Sequence, residues 1–274
     1  MTGSALAALG LTLVATAAVS TAFLLVVFMV ALRVGRYNVV DVAWGPGFAL
    51  LAVVSLALSG GHGDLWRKAL LAGATVIWGL RLGGYIAWRS RGQGEDPRYA
   101  QMLDQAPGSR AAYALRKVFL LQAALIWLVS VPVQAGMFER GGGAWAAAAG
   151  LGLVVWLCGL VFESVGDWQL ARFKADPAHK GMVMDRGLWR YTRHPNYFGD
   201  ACVWWGLFLL SLGSWTGVAA IYAPLLMNFL LARGSGKPIT ERRLGARPGY
   251  AEYVARTSGF FPRPPRRAPT SQPG

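Results

Sequence analysis

Glu163 and Asp167 stand four residues apart, as do Asn196 and Asp200. On a helix, that spacing puts both members of a pair on one face. Between the pairs lie Arg172, Lys174, Arg190, Tyr191, Arg193 and His194, with Tyr197 inside the second pair, most of them in the run "GLWRYTRHPNYFGD". The cationic groups can donate to phosphate or carboxylate. The carboxylates suit ribose hydroxyls or an adenosine amine, and the aromatic rings offer stacking surfaces. Both signs of charge pressed against apolar segments fit a nucleotide-like cofactor better than a bulk lipid headgroup. Asp41 follows "RYNVV", and Arg81 sits within an apolar block. A protonated acid at the mouth of an apolar cavity could hydrogen-bond a substrate carbonyl.

Each group also has a plain reading. Arg81 can snorkel to the interface, Asp41 can cap a helix, and the aromatics can form an interfacial belt. Glu163 and Asp167 can be a solvated helix end paired with Arg172 or Lys174. The convergence of Asp41, Arg81, Glu163, Asp167, Asn196 and Asp200 on one membrane face favours a site. The three histidines are scattered, and both cysteines, Cys158 and Cys202, lie in apolar segments as small hydrophobes. No metal spacing is present. No glycine-rich dinucleotide fingerprint follows a strand, so a nucleotide would be bound in a non-Rossmann way.

The elements that must position these groups are membrane helices. Of the 274 residues, 54% are hydrophobic and 15% charged, against about 25% charged in soluble domains. Long apolar blocks lie at roughly 5–32, 41–59, 69–88, 118–138, 144–166, 201–213 and 216–232. They predict an all-α polytopic membrane protein of about seven transmembrane helices. Residues 1–265 read as one membrane domain and 266–274 as a disordered tail rich in Pro and Arg. The first block is followed, not preceded, by arginines, which predicts a retained span. With the N-terminus outside and the C-terminus cytoplasmic, only Arg67, Lys68 and Arg140 among the 27 basic residues fall outside, and Arg81 falls within a span. The positive-inside rule accounts for the net charge of +14 without nucleic acid. Part of that excess can meet anionic membrane lipids. The expected location is the inner (plasma) membrane, with the polar site facing the cytoplasm and a lipid-like substrate entering from the bilayer.

The segment from Glu163 to Trp205 resembles the bacterial membrane family called domain of unknown function 1295. "YNVVDVAWG", "GEDPRY", "FKADPAHKG" and "RPGYAEYVARTSGFFPRPP" extend the likeness over nearly the whole chain. That family is related to steroid 5-alpha-reductases and more distantly to isoprenylcysteine carboxyl methyltransferases. The resemblance implies an NADPH-dependent reductase of a carbon–carbon double bond conjugated to a carbonyl. Asp167 then matches an acidic cofactor residue, Glu163 an Asn, and Lys174 a phosphate-contacting Arg. Asn196 and Asp200 match an Asn and a Glu at the nicotinamide end, and Arg81 a basic residue meeting the phosphates. The steroid enzymes polarise the carbonyl with a Glu and a Tyr. Asp41 stands nearest the Glu, Trp78 occupies the Tyr position, and Tyr85 is the substitute two turns on. These departures bear on a steroid-type substrate more than on the cofactor.

A rival reading keeps the site and changes the cofactor. The "RHPNY" core followed by Glu241 is shared with the isoprenylcysteine enzymes, which implies S-adenosylmethionine and methyl transfer. A third reading, a non-enzymatic scaffold or transporter, would call for broken helices and paired polar sites near the midplane.

Overall fold

The computed structural model describes residues 2–234 and 236–266, so the predicted tail lies almost entirely outside the described residues. The chain is built from α1 (Gly3–Val34), α2 (Val39–Leu58), α3 (Leu65–Arg89), α4 (Pro97–Asp104), α5 (Arg110–Gly136), α6 (Ala144–Ala175), α7 (Pro195–Ser211), α8 (Trp215–Val218), α9 (Tyr222–Ala232), α10 (Lys237–Leu244) and α11 (Tyr250–Arg256). Among the described residues there is no strand, only an isolated parallel bridge between Thr192 and Ser258. Two compact units divide the chain: residues 1–152 with 207–223, and residues 153–206 with 224–274.

Five helices, α1, α2, α3, α5 and α6, are long and apolar enough to cross a membrane. The sixth and seventh apolar blocks fall in α7, of 17 residues, and α9, of 11. The seventh block is interrupted because α8 gives way to a 3-10 turn over Ala219–Ile221 before α9 begins.

In the first unit, α1 shows why lipid is its solvent. The helix opens with the Thr2 hydroxyl accepting from Ala5 N–H and closes at Gly35, whose left-handed backbone returns its N–H to Ala31. One narrow stripe, Thr12, Thr16, Ser20, Leu24, Phe28 and Ala31, is buried, while Leu11 and Val14 are more than 70% exposed. So much exposed apolar surface is stable only against acyl chains. The polar members of the stripe find partners inside the protein, as a water-free setting requires. The Thr16 hydroxyl donates to Gln134 Oε1 at 2.5 Å, Ser20 to the Ala123 carbonyl at 2.8 Å, and the Gln134 amide to Ser130 at 2.7 Å. Helix α5 departs from regular α geometry through a π segment over Leu115–Leu120 and through Pro132, which lacks the N–H of the next turn.

Arg67 and Lys68, expected in an outer loop, lie instead in the first turn of α3 and are buried. Both terminate other elements. Arg67 Nη1 donates to the carbonyls of Leu210, at 2.7 Å, and Leu212. Lys68 Nζ donates to the Ser59 carbonyl at the end of α2, at 2.6 Å. They satisfy carbonyls that the helix ends leave without partners.

Candidate functional site

The second unit is organised by a close crossing of α6 and α7. A β-carbon at Gly159 would stand 2.6 Å from both the Gly199 carbonyl oxygen and the Val203 nitrogen, and one at Gly199 would stand 2.5 Å from the Glu163 nitrogen. Only glycine lets the two backbones meet here. Two turns further along α6 from Gly159, Gly166 packs on Pro195, the first residue of α7.

This crossing brings the two four-residue pairs together. Glu163 and Asp167 are 3% and 5% exposed on the face of α6 that α7 covers. The Asn196 amide donates to Asp167 Oδ1 at a long 3.4 Å, and Asp200 follows Asn196 by one turn, half-buried. Two buried carboxylates on one face of a membrane helix are costly, and such groups mark function more often than packing. Trp189 fixes the approach to α7 by donating its indole N–H to the Gly166 carbonyl at 3.0 Å.

Arg193 and His194, expected as cofactor donors, direct their hydrogen bonds to the protein instead. Arg193 donates to Glu241 at 2.8 Å, to the Thr257 carbonyl at 2.6 Å and to the Val254 carbonyl at 3.3 Å. His194 is buried, stacks on Tyr197 with ring centroids 5.1 Å apart, and places Nε2 3.2 Å from Glu241. The Tyr197 hydroxyl pairs with Thr240 at 3.2 Å. Glu241 therefore anchors α10 to the start of α7. The C-terminal segment straps the same loop: Tyr253 donates to the Trp189 carbonyl at 2.6 Å, Thr192 to Phe260 at 2.8 Å, and the Arg263 N–H to Tyr191 at 2.9 Å. Arg190, Tyr191 and Lys174 are exposed. Arg172 is exposed too and lies over the Trp168 ring, on a different face of α6 from Asp167.

Burial pushes the His194 imidazole below its usual range, outweighing the Glu241 hydrogen bond that acts the other way. Burial alone would raise Glu241. The hydrogen bonds from His194 and Arg193, with the charges of Arg193 and Lys237, outweigh it and bring the carboxyl down to about 2. Each group binds fewer protons folded than unfolded, so stability falls as pH falls. The His194 part is lost below about pH 6.5, and the Glu241 part between 4.5 and about 2. The thermal midpoint of the purified protein is expected to decline steadily on acidification from pH 7. Glu241→Gln should remove the lower part of that decline, and a midpoint that rises toward pH 5 contradicts the arrangement.

Asp41, Arg81 and Tyr85 belong to the first unit. Asp41 lies in the first turn of α2 and is not its cap; Asn38 holds that position. It accepts from the Tyr99 hydroxyl at 2.6 Å and from Arg98 at 3.1 Å. Burial first, and then the Asp41 carboxylate, hold the Tyr99 phenol well above its ordinary range, so it keeps its proton. Tyr85 packs its ring against Trp88, 5.9 Å between centroids, under the Arg89 guanidinium. Arg81 is half-buried on α3. Sequence reasoning missed Tyr99, although it closes the quoted "GEDPRY" run. Its signal was a tyrosine two residues past Pro97, at the start of a short amphipathic helix.

Five helices long and apolar enough to cross a membrane, with a few buried ionisable groups, define a multi-pass helical membrane protein. Residues 27–257 match the family described as "Protein of unknown function (DUF1295)", and the chain belongs to it. No curated protein and no solved structure matches the chain.

Proposed function

We propose that this chain is a membrane-embedded NADPH-dependent reductase of a conjugated carbon–carbon double bond in a lipid-like enone: a fatty acyl, isoprenoid or steroid-like carbonyl compound. The observation that carries the reading is the buried Glu163–Asp167 pair facing Asn196 across the glycine crossing. Its carboxylate and amide groups fit the hydroxyls and carboxamide of a dinucleotide. The resemblance to the steroid reductases supplies the reaction type. In this reading α7 and the segment from α8 through α9 complete seven spans, with the N-terminus outside, the C-terminus cytoplasmic and the site facing the cytoplasm of the inner (plasma) membrane.

NADPH, when bound, supplies the hydride for the β-carbon of the enone. Glu163 and Asp167 would hold the cofactor, and Asn196 and Asp200 would orient its nicotinamide half. Arg193, His194 and Glu241 position that half's walls, because their own hydrogen bonds tie α7 to α10 and to the C-terminal strap. The resemblance assigns Arg81 to the cofactor phosphates. Within the first unit, Asp41 and Tyr99 form a proton-holding pair: with Asp41 accepting from Arg98, the phenol is the group that carries the proton.

Glu241 in contact with the RHPNY core is the one observation that favours a second reading, an S-adenosylmethionine-dependent methyltransferase. Titration of the detergent-purified protein separates the two. NADPH at about a hundred times its Kd should stabilise the fold by about 2.7 kcal/mol, with S-adenosylmethionine inert. Stabilisation by S-adenosylmethionine alone overturns the reductase assignment.

A further inference from the structure

The C-terminal end of α6 carries a second feature on another face. Trp168 and Arg172 stand four residues apart on α6, turned by about 100° from the Glu163–Asp167 face, since each helical residue advances by that angle, and Asp176 follows just past the helix end. They border a cleft of about 320 Å³ whose walls include Phe173, His179 and Arg186. Phe173 and His179 stack with centroids 4.2 Å apart, giving the cleft one flat wall. The Arg172 guanidinium lies 5.7 Å over the Trp168 ring. Neither Arg172 nor Arg186 has a hydrogen-bonding or carboxylate partner for its side chain among the described residues. The lone carboxylate there, Asp176, is already engaged, accepting from Ala178 N–H at 2.9 Å and facing His179 Nδ1 at 3.5 Å.

With Ala144 taken at one edge of the hydrocarbon layer, helix length gives the depth of this cleft. From Ala144, about 20 residues of α6 fill the roughly 30 Å hydrocarbon layer. Trp168 and the residues after it then stand in the headgroup layer. Trp168 is 58% exposed, as an interfacial tryptophan would be. Met182, on the loop that follows, is exposed as well.

We propose that this cleft binds the phosphate headgroup of an anionic phospholipid, with Arg172 and Arg186 on the phosphate and Trp168 against the glycerol and upper acyl chain. Two guanidinia on the walls of one cleft suit a phosphate oxyanion. A soluble nucleotide offers the same phosphate chemistry, but the exposed tryptophan at this depth matches an amphiphile. The site stands apart from the reductase reading and does not depend on it.

The test uses the full-length protein in mixed micelles and reads its thermal midpoint. Phosphatidylglycerol is titrated against phosphatidylcholine, with NADPH and inorganic phosphate as separate arms. Phosphatidylglycerol should raise the wild-type midpoint and phosphatidylcholine should not. The doubly substituted Arg172→Gln/Arg186→Gln protein should need roughly ten- to thirtyfold more phosphatidylglycerol for the same shift, at about 1 kcal/mol per interfacial cation. Its midpoint in phosphatidylcholine should equal that of wild type, since both side chains are exposed. A charge-matched Arg91→Gln/Arg242→Gln protein should respond as wild type does. An unchanged phosphatidylglycerol response in the first variant overturns the proposal. So does a variant that loses its response to NADPH or phosphate while keeping its response to the lipid.

Discussion

Gly159→Ala is expected to lower the stability of the protein by about 1–3 kcal/mol, the range for overpacking a tight contact, and Gly159→Leu to prevent folding of the second unit. The atoms that a new β-carbon would strike, at 2.6 Å, are the Gly199 carbonyl oxygen and the Val203 nitrogen. Both belong to the backbone of α7, so no side chain can swing aside. The two helices would have to separate, and Asn196 would be drawn from Asp167, where the contact is already long. On the proposed reading, NADPH binding should therefore fall along with the thermal midpoint. Gly150→Ala is the matched control. It lies on the same helix, a β-carbon there meets nothing within 4 Å, and helix propensity favours alanine by about 1 kcal/mol. A Gly159→Ala protein that unfolds at the wild-type temperature would contradict the crossing.

Arg67→Met should destabilise the first unit by about 3–5 kcal/mol, the usual cost of removing one partner from a buried charged network. Arg67 is fully buried, and its loss would orphan the Leu210 and Leu212 carbonyls at the end of α7. Each buried acceptor left without a donor costs about 1–3 kcal/mol. Methionine preserves much of the side-chain volume, so the loss measures the hydrogen bonds more than the cavity. Arg140→Ala, which removes an exposed residue whose side chain donates to the Gly61 carbonyl at 3.3 Å, should change the midpoint by less than about 0.5 kcal/mol in equivalent stability. Equal midpoints for the two variants in detergent would show that the buried arginine is dispensable.

Much of this architecture is legible in the chain because a bilayer leaves few alternatives. Apolar blocks of about 20 residues become helices since no other open structure satisfies its backbone there. The local spacing of Glu163 with Asp167, and of Asn196 with Asp200, predicts shared faces, and the structure places both pairs at one crossing. Local sequence is silent on contacts that the tertiary fold creates. Arg193 reads as a phosphate ligand until Glu241, Val254 and Thr257 are brought to it from 48 to 64 residues away. Tyr99 gains meaning only when α4 sets it on Asp41, 58 residues distant in sequence. Arg67 and Lys68 look like outer-loop charges because burial of a cation is invisible in composition. The interruption between α8 and α9 divides a continuous apolar block, which hydropathy alone cannot detect.

The central claim is hydride transfer to a lipid enone, and isotope transfer tests it most directly. The purified protein is incubated with a total lipid extract, NADPH deuterated at the transferable C4 position, and S-adenosylmethionine carrying a labelled methyl group. The lipids are then analysed by mass spectrometry. The account predicts one deuterium at the β-carbon of a saturated carbonyl lipid, lost in an Asp167→Ala protein that still folds. Methyl label in the lipid with no deuterium would contradict it.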